Sequence, residues 1–302
     1  MNRRYAMAGI VSHLYLGKVL FDKYSKEMLR VRSWRRAFAY KYFLAGCIGP
    51  DLWYFPKANK KVSDLLHHEW TADCLRYLLA HARTTKEKAF AYGWACHVIA
   101  DIVVHPLINA QVKARLEKEK KTFSPTAQEA LPLHANVEAS YDYELLKRLR
   151  YRNSLFLHNF TLRFLPMPPF KQTNLIQKAL LSIYGFSMSK QEYRQATTQA
   201  LWSVQKIPWM FITLKIVKAE RWWFKLLKPF VQLLIILPFR VFFYVSKEPL
   251  LFSLLQPDTR TPEDYQAYER KLQEVIAIYS LHLKSNFANL PNINLDTGEI
   301  IA

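Results

Sequence analysis

The sequence predicts an all-α protein. Glycine is scarce, with 7 residues in a chain of 302. The strict apolar–polar alternation that marks strands is rare, while long segments repeat apolar residues at helical spacing. The composition, 51% hydrophobic and 15% aromatic, is enough to bury a substantial core.

The elements follow in order. Met7–Val11 is a short apolar lead-in to His13. Leu14–Leu29 reads as an amphipathic helix whose apolar face carries Leu14, Leu16, Val19, Leu20 and Phe21. Arg30–Arg36 is a basic turn and helix start, and Ala37–Leu44 is apolar and aromatic. That segment ends in Gly46-Cys47-Ile48-Gly49-Pro50-Asp51, where glycine before proline stops a helix and opens an irregular loop. Asp51 is thus expected at the end of a buried helix, in a loop free to turn inward. Ser63 or Asp64 suits the N-cap of a helix over Leu65–Ala82. His67 and His68 fall near its start, and neighbours on a helix point about 100° apart, so one of them can face a given site.

The next helix, starting around Thr84–Glu87 and expected to stop at Pro106, carries the most informative stretch. It contains H-x-x-x-D-x-x-x-H: His97, Asp101 and His105. Each step of four advances about 40° past a full turn, so the three side chains share an arc of about 80°. The two histidines are still separated by about 12 Å of rise, too far to share one ion easily. Two metal centres with a carboxylate between them can use all three. A lone histidine on an apolar face is ordinarily a satisfied core residue. Here Trp94, Val98, Ile99, Ile102, Val103 and Val104 imply burial, and a buried aspartate between histidines is costly unless paired or metal-bound.

Ala110–Lys121 is a charged, exposed helical stretch and Thr122–Pro132 a loop. A further helix holds H-x-x-x-E, His134 and Glu138, again one turn apart on one face, with Asp142 extending the stripe. Beyond Arg150 the signals thin. Leu165–Pro169 is a rigid bend, Leu175–Tyr184 and Lys190–Trp202 read as helices, and Pro262–Lys284 is a final amphipathic helix opened by Thr261-Pro262-Glu263-Asp264. The tail after Asn286 is expected to be poorly ordered. The aromatic segment 221–245 is broken by Pro229, Gln232, Pro238 and Arg240, so its apolar run is too short to span a bilayer. Trp222 and Trp223 beside Lys225, Lys228 and Arg240 suit a helix in a membrane interface, or equally a core helix.

The domain division expected is a metal-binding helical core over 1–160 and additional helices over 161–302 that complete or flank it. A net charge of +19 predicts attraction to anionic surfaces, phospholipid or nucleic acid. The cysteines, Cys47, Cys74 and Cys96, lack CxxC spacing and point to a reducing compartment. No adequate apolar run forms a signal peptide at the N-terminus. The expected location is cytoplasmic, with peripheral membrane association.

Collected, the candidate metal ligands are His13, Asp51, His67, His68, His97, Asp101, His105, His134 and Glu138. Imidazoles and carboxylates without thiolate suit catalytic zinc. The order of these residues resembles the zinc-dependent phospholipase C family, and more distantly the fungal single-strand-specific nucleases of the same fold. The matching features are an early His, a Pro-Asp, a His in the next helix, HVIAD, a further His and H-x-x-x-E, spread over about Val11–Leu149. The resemblance implies an all-α, multi-helix domain with two or three zinc ions between helices. His67 (or His68), His97 and Asp101 would hold one ion, with Asp51 as further ligand or general base. His105, His134 and Glu138 would hold a second, and Asp101 would bridge to a third bound by His13. The spacing from Asp101 to His105 is shorter than in the secreted enzymes of the family. Asp51 and Asp101 would carry the catalysis.

The implied activity is metal-assisted hydrolysis of a phosphodiester, most readily a phospholipid. Zinc lowers the pKa of water from about 15.7 to about 7, and a pair of ions about 3.5–4 Å apart stabilises attacking and leaving oxygens. A nuclease on the same three-zinc site and a non-catalytic, membrane-associated zinc protein are the alternative readings. The second is motivated by the N-terminal Trp that supplies ligands in the family and has no match here.

Overall fold

The computed structural model describes residues 9–55, 58–118, 130–152, 173–200 and 261–301. The bend at Leu165–Pro169, the aromatic segment 221–245 and most of the loop expected at Thr122–Pro132 lie outside these residues. Among the described residues the structure is all-α, apart from an isolated bridge between Ile293 and Ile300. In chain order the elements are α1 (Ile10–Leu29), α2 (Ser33–Cys47), a 3-10 turn (Pro50–Trp53), α3 (Lys60–His68) and α4 (Thr71–His81). They continue with α5 (Thr85–Lys118), α6 (Ala130–Arg152), α7 (Thr173–Tyr184), α8 (190–200) and α9 (Pro262–Lys284).

α5 is the axis, and α1, α2, α4, α6 and α9 all pack on it. Trp94, Ala95, Cys96, Val98 and Ile99 along it are buried. Among the described residues it is the helix long and apolar enough to cross a membrane, and most of that stretch is buried inside the protein. Its closest neighbour is α2. A Cβ on Gly93 would run into the Phe43 carbonyl, and one on Gly46 into the Phe90 carbonyl. Glycine on both sides lets the two backbones touch. This contact sets the end of α2, and hence Asp51, against the face of α5 that carries His97.

Several boundaries differ from the sequence expectation, each for a tertiary reason. α1 begins at Ile10, so His13 lies inside it rather than ahead of it. Its N-cap, Gly9, offers no side chain. Asp142 of α6 instead accepts from the Val11 and Ser12 amides at 3.0 and 2.9 Å. The single helix expected over Leu65–Ala82 is two. α3 starts at Lys60, and Glu69 (extended) with Trp70 (φ 46) breaks the chain before α4. The first turn of α4 is satisfied from far away, because Asn292 Oδ1 accepts from the Ala72 and Asp73 amides. Ser63 is no N-cap. Its hydroxyl donates to the Pro50 carbonyl at 2.6 Å and accepts from the Trp53 amide, pinning the 3-10 turn to α3.

Pro106 does not end α5. An internal proline costs about 3 kcal/mol. Beyond it Ile108, Val112 and Leu116 are buried, and each such side chain contributes about 1.5–3 kcal/mol, so packing wins. The stretch expected to be exposed after Ala110 is therefore amphipathic. The tail after Asn286 is ordered, with Phe287, Leu290, Ile293 and Leu295 buried. α9 matches its expected limits, with a capping box between Thr261 and Asp264 and Pro262 at its start.

Gly93→Ala should push α2 and α5 apart. We expect a cost of about 1–3 kcal/mol, read as a lower melting temperature. Bound zinc should fall as well, because Gly93 is one turn from His97.

Candidate metal centre

The α2–α5 contact, the 3-10 turn and the N-termini of α1 and α6 converge on one buried patch. Asp101 sits at its middle, 2% exposed. Its Oδ1 lies 3.2 Å from His13 Nε2 and 3.6 Å from His105 Nε2. Its Oδ2 lies 2.9 Å from His97 Nε2 and 3.7 Å from His67 Nε2. Asp51 adds a second carboxylate, 3.0 Å from His67 Nε2. Glu138 Oε1 is 3.2 Å from His105 Nε2 and 3.3 Å from His134 Nε2. Three groups of ligand atoms result, each within 4.8 Å: His13, His97 and Asp101; Asp51, His67 and His97; His105, His134 and Glu138.

The imidazoles are aimed. A carbonyl oxygen can only accept, so each ring nitrogen on one must be its protonated nitrogen. His97 Nδ1 donates to the Cys47 carbonyl at the end of α2 at 3.0 Å. His67 Nδ1 donates to Ser63 O at 2.7 Å and His105 Nδ1 to Leu295 O at 2.6 Å. His134 Nδ1 donates to Asn109 Oδ1 at 3.2 Å. In all four Nε2 is turned towards the carboxylates, and with Nδ1 held by an acceptor it is the nitrogen left for a metal, the arrangement that orients metal-binding histidines. His13 Nδ1 is buried without a hydrogen-bond partner among the described residues.

These residues fit zinc. Two ligands about 2.0–2.1 Å from a tetrahedral ion lie roughly 3.3–3.4 Å apart. His67 Nε2 and His97 Nε2, both with their Nδ1 protons already committed, face each other at 3.3 Å. At that spacing the two nitrogens can share a proton on His67 Nε2, or both can bind one cation once that proton has left. The donor set has the same logic, being rich in imidazole and carboxylate, with no cysteine among its three groups.

Electrostatics follow from burial and proximity. Burial pulls the His13 imidazole down, but the Asp101 carboxylate reverses this and lifts it to about 9. Burial likewise lowers His67, and the Asp51 carboxylate carries it up to about 9. Burial raises the Asp101 carboxyl, yet the surrounding imidazoles hold it well below its ordinary range. Glu138 is pushed up by burial and down by His134 and His105, to about 2.

Of the residues read from the sequence, the structure brings together His13, Asp51, His67, His97, Asp101, His105, His134 and Glu138. His68 is turned away, its Nε2 2.6 Å from Asp296 Oδ2. Asp142 does not extend the ligand stripe, because its carboxylate caps α1 and binds the Ser12 hydroxyl. Three residues were not read from the sequence. Leu295, Asp296 and Asn109 surround the ligands, and no local pattern marks them. Asn-Leu-Asp-Thr-Gly over 294–298 signals only a turn.

The fold and the buried ligand groups define an all-helical metalloprotein with room for more than one ion. A family model described as zinc dependent phospholipase C matches residues 10–207, two thirds of the chain. The chain belongs to that family, whose enzymes are zinc-dependent hydrolases of the phospholipase C type. No curated protein and no solved structure matches the chain.

Two outcomes follow. Zinc must compete with protons at His13 and His67, so its uptake should release protons and tighten as pH rises towards 9. Calorimetry in buffers of different ionisation enthalpy reads this directly, and pH-independent affinity would contradict it. Asp101→Asn should lower zinc content more than any other single ligand change, because Asp101 approaches four imidazoles. Metal analysis of the purified variants checks the ranking.

Proposed function

We propose that this chain hydrolyses the phosphodiester of phospholipids at the buried His/Asp/Glu centre. The observation that carries the reading is the overlap of the ligand groups. His97 belongs to two of them, and Asp101 reaches towards the third through His105. Two or three zinc ions held there would acidify water and polarise the phosphoryl oxygens. His67, His97, Asp51 and Asp101 would hold one ion; His105, His134 and Glu138 would hold a second; His13 with Asp101 would hold a third.

The chain's own residues would do the rest. Asp51 is the carboxylate on the turn between α2 and α3, and it would take the proton of the attacking water. The water oxygen bonds to phosphorus as the P–O bond to glycerol breaks; the leaving alkoxide oxygen takes up a proton from solvent water, and Asp51 returns its own proton to solvent. Asp101 would keep the histidines in register. The helical walls would limit access of bulk water, since all but His134 of the cluster are buried.

Two features support lipid as the substrate class. The family model is that of a phospholipase C. The net charge of +19 draws the chain to anionic surfaces. We extend this to peripheral membrane association through the segment 221–245, and to a cytoplasmic setting, supported by three free, buried cysteines.

The test is direct. Zinc-loaded protein should release phosphorylated headgroup from short-chain phosphatidylcholine, and Asp51→Asn should lower kcat by about 10²–10⁴-fold. Binding should be tighter to anionic than to zwitterionic vesicles and weaken with salt. Cleavage of single-stranded oligonucleotides with no phospholipid turnover would replace this reading with the nuclease one. No turnover of either substrate would leave a zinc protein without catalysis.

A further inference from the structure

Resting on the metal reading above, we propose that the C-terminal turn, residues 292–298, is a clamp that positions the His105–His134–Glu138 metal group. Three ties carry it. The Leu295 carbonyl accepts the His105 Nδ1 proton at 2.6 Å. The Leu295 amide donates to the His67 carbonyl at 2.7 Å, fastening the turn to the end of α3. The Asp296 carbonyl accepts from Asn109 Nδ2 at 2.5 Å, and Asn109 Oδ1 accepts a hydrogen bond from His134 Nδ1 at 3.2 Å. One short turn thus reaches histidines on α3, α5 and α6.

The turn is built to hold that shape. Asn294 Oδ1 accepts from the Asp296 and Thr297 amides at 3.0 and 3.1 Å, closing an Asx turn. Asn294 N–H and the Asn294 carbonyl pair with Glu299 and Gly298. Leu295 is fully buried, and Asp296 Oδ2 pairs with His68 Nε2 at 2.6 Å. The turn also lies outside the stretch 10–207 that the family model matches. Partners that orient metal-binding histidines change metal affinity about 10–100-fold when removed. Leu295, Asp296 and Asn109 act through the histidines and are positioning residues.

The experiment uses the full chain with Asn294→Ala, Asn294→Asp and Asn109→Ala, none of which touches a proposed ligand site directly except through a histidine Nδ1. Zinc retention is titrated against a graded chelator. Cobalt(II) spectra report the coordination, and thermal melting reports the fold. The expected result is that Asn294→Ala and Asn109→Ala release one class of ion about 10–100-fold more readily, with an altered cobalt spectrum. The remaining metal should stay bound. Asn294→Asp keeps the turn's acceptor and should restore wild-type retention. Wild-type affinity in both alanine variants would overturn the clamp. So would loss of all ions in parallel with unfolding and without rescue by Asn294→Asp. A wild-type chain that takes up no zinc would overturn the metal reading itself, which separates the two failures.

Discussion

Everything in this fold answers to one cost, the burial of the Asp101 carboxylate. An ionised carboxyl taken out of water loses several kcal/mol even after the protein relaxes. Here four imidazoles from three helices approach its two oxygens. Their charge, or that of a bound cation, is what makes the site tolerable. The same proximity explains why His13 and His67 hold protons so firmly and why Glu138 gives them up so readily. A cluster of this kind is stable only if its geometry is held, since a small opening would leave charges buried and unpaired.

The surrounding structure supplies that rigidity. Gly46 and Gly93 bring α2 and α5 into backbone contact, so the Cys47 carbonyl can meet His97. Ser63 ties the Asp51 turn to the helix that carries His67. Asp142 closes the open end of α1 one residue from His13, and Tyr268 of α9 donates to the Ser12 hydroxyl at 2.5 Å. Each tie joins a ligand-bearing element to a partner distant in sequence. His97, His105 and His134 are therefore oriented by hydrogen bonds from other parts of the chain or from another helix, while His67 is oriented by the Ser63 carbonyl of its own helix.

Much of the site was legible in the sequence because its spacing is local. His97, Asp101 and His105 repeat every four residues, as do His134 and Glu138, and one helical turn places such residues on one face whatever else the chain does. Apolar periodicity likewise marks α9 and the core of α5, because a helix must bury one stripe. Helix ends were less legible. The breaks at Glu69–Trp70 and before Ile10 are capped by Asn292 and Asp142, and no window of sequence contains both partners.

The sequence by itself therefore determined the helical class, the family and the chemical kind of the candidate ligands, since these depend on residue type and on spacing within a turn. Only the tertiary structure decided that His67 rather than His68 joins the cluster, that Pro106 lies within a helix, and that Asp142 serves α1. It also brought Leu295 and Asp296 beside residues some 190 positions earlier. The physical reason is the range of the interactions. Helical periodicity acts over four residues, whereas the hydrogen bonds that satisfy buried polar groups form wherever packing brings a donor to an acceptor.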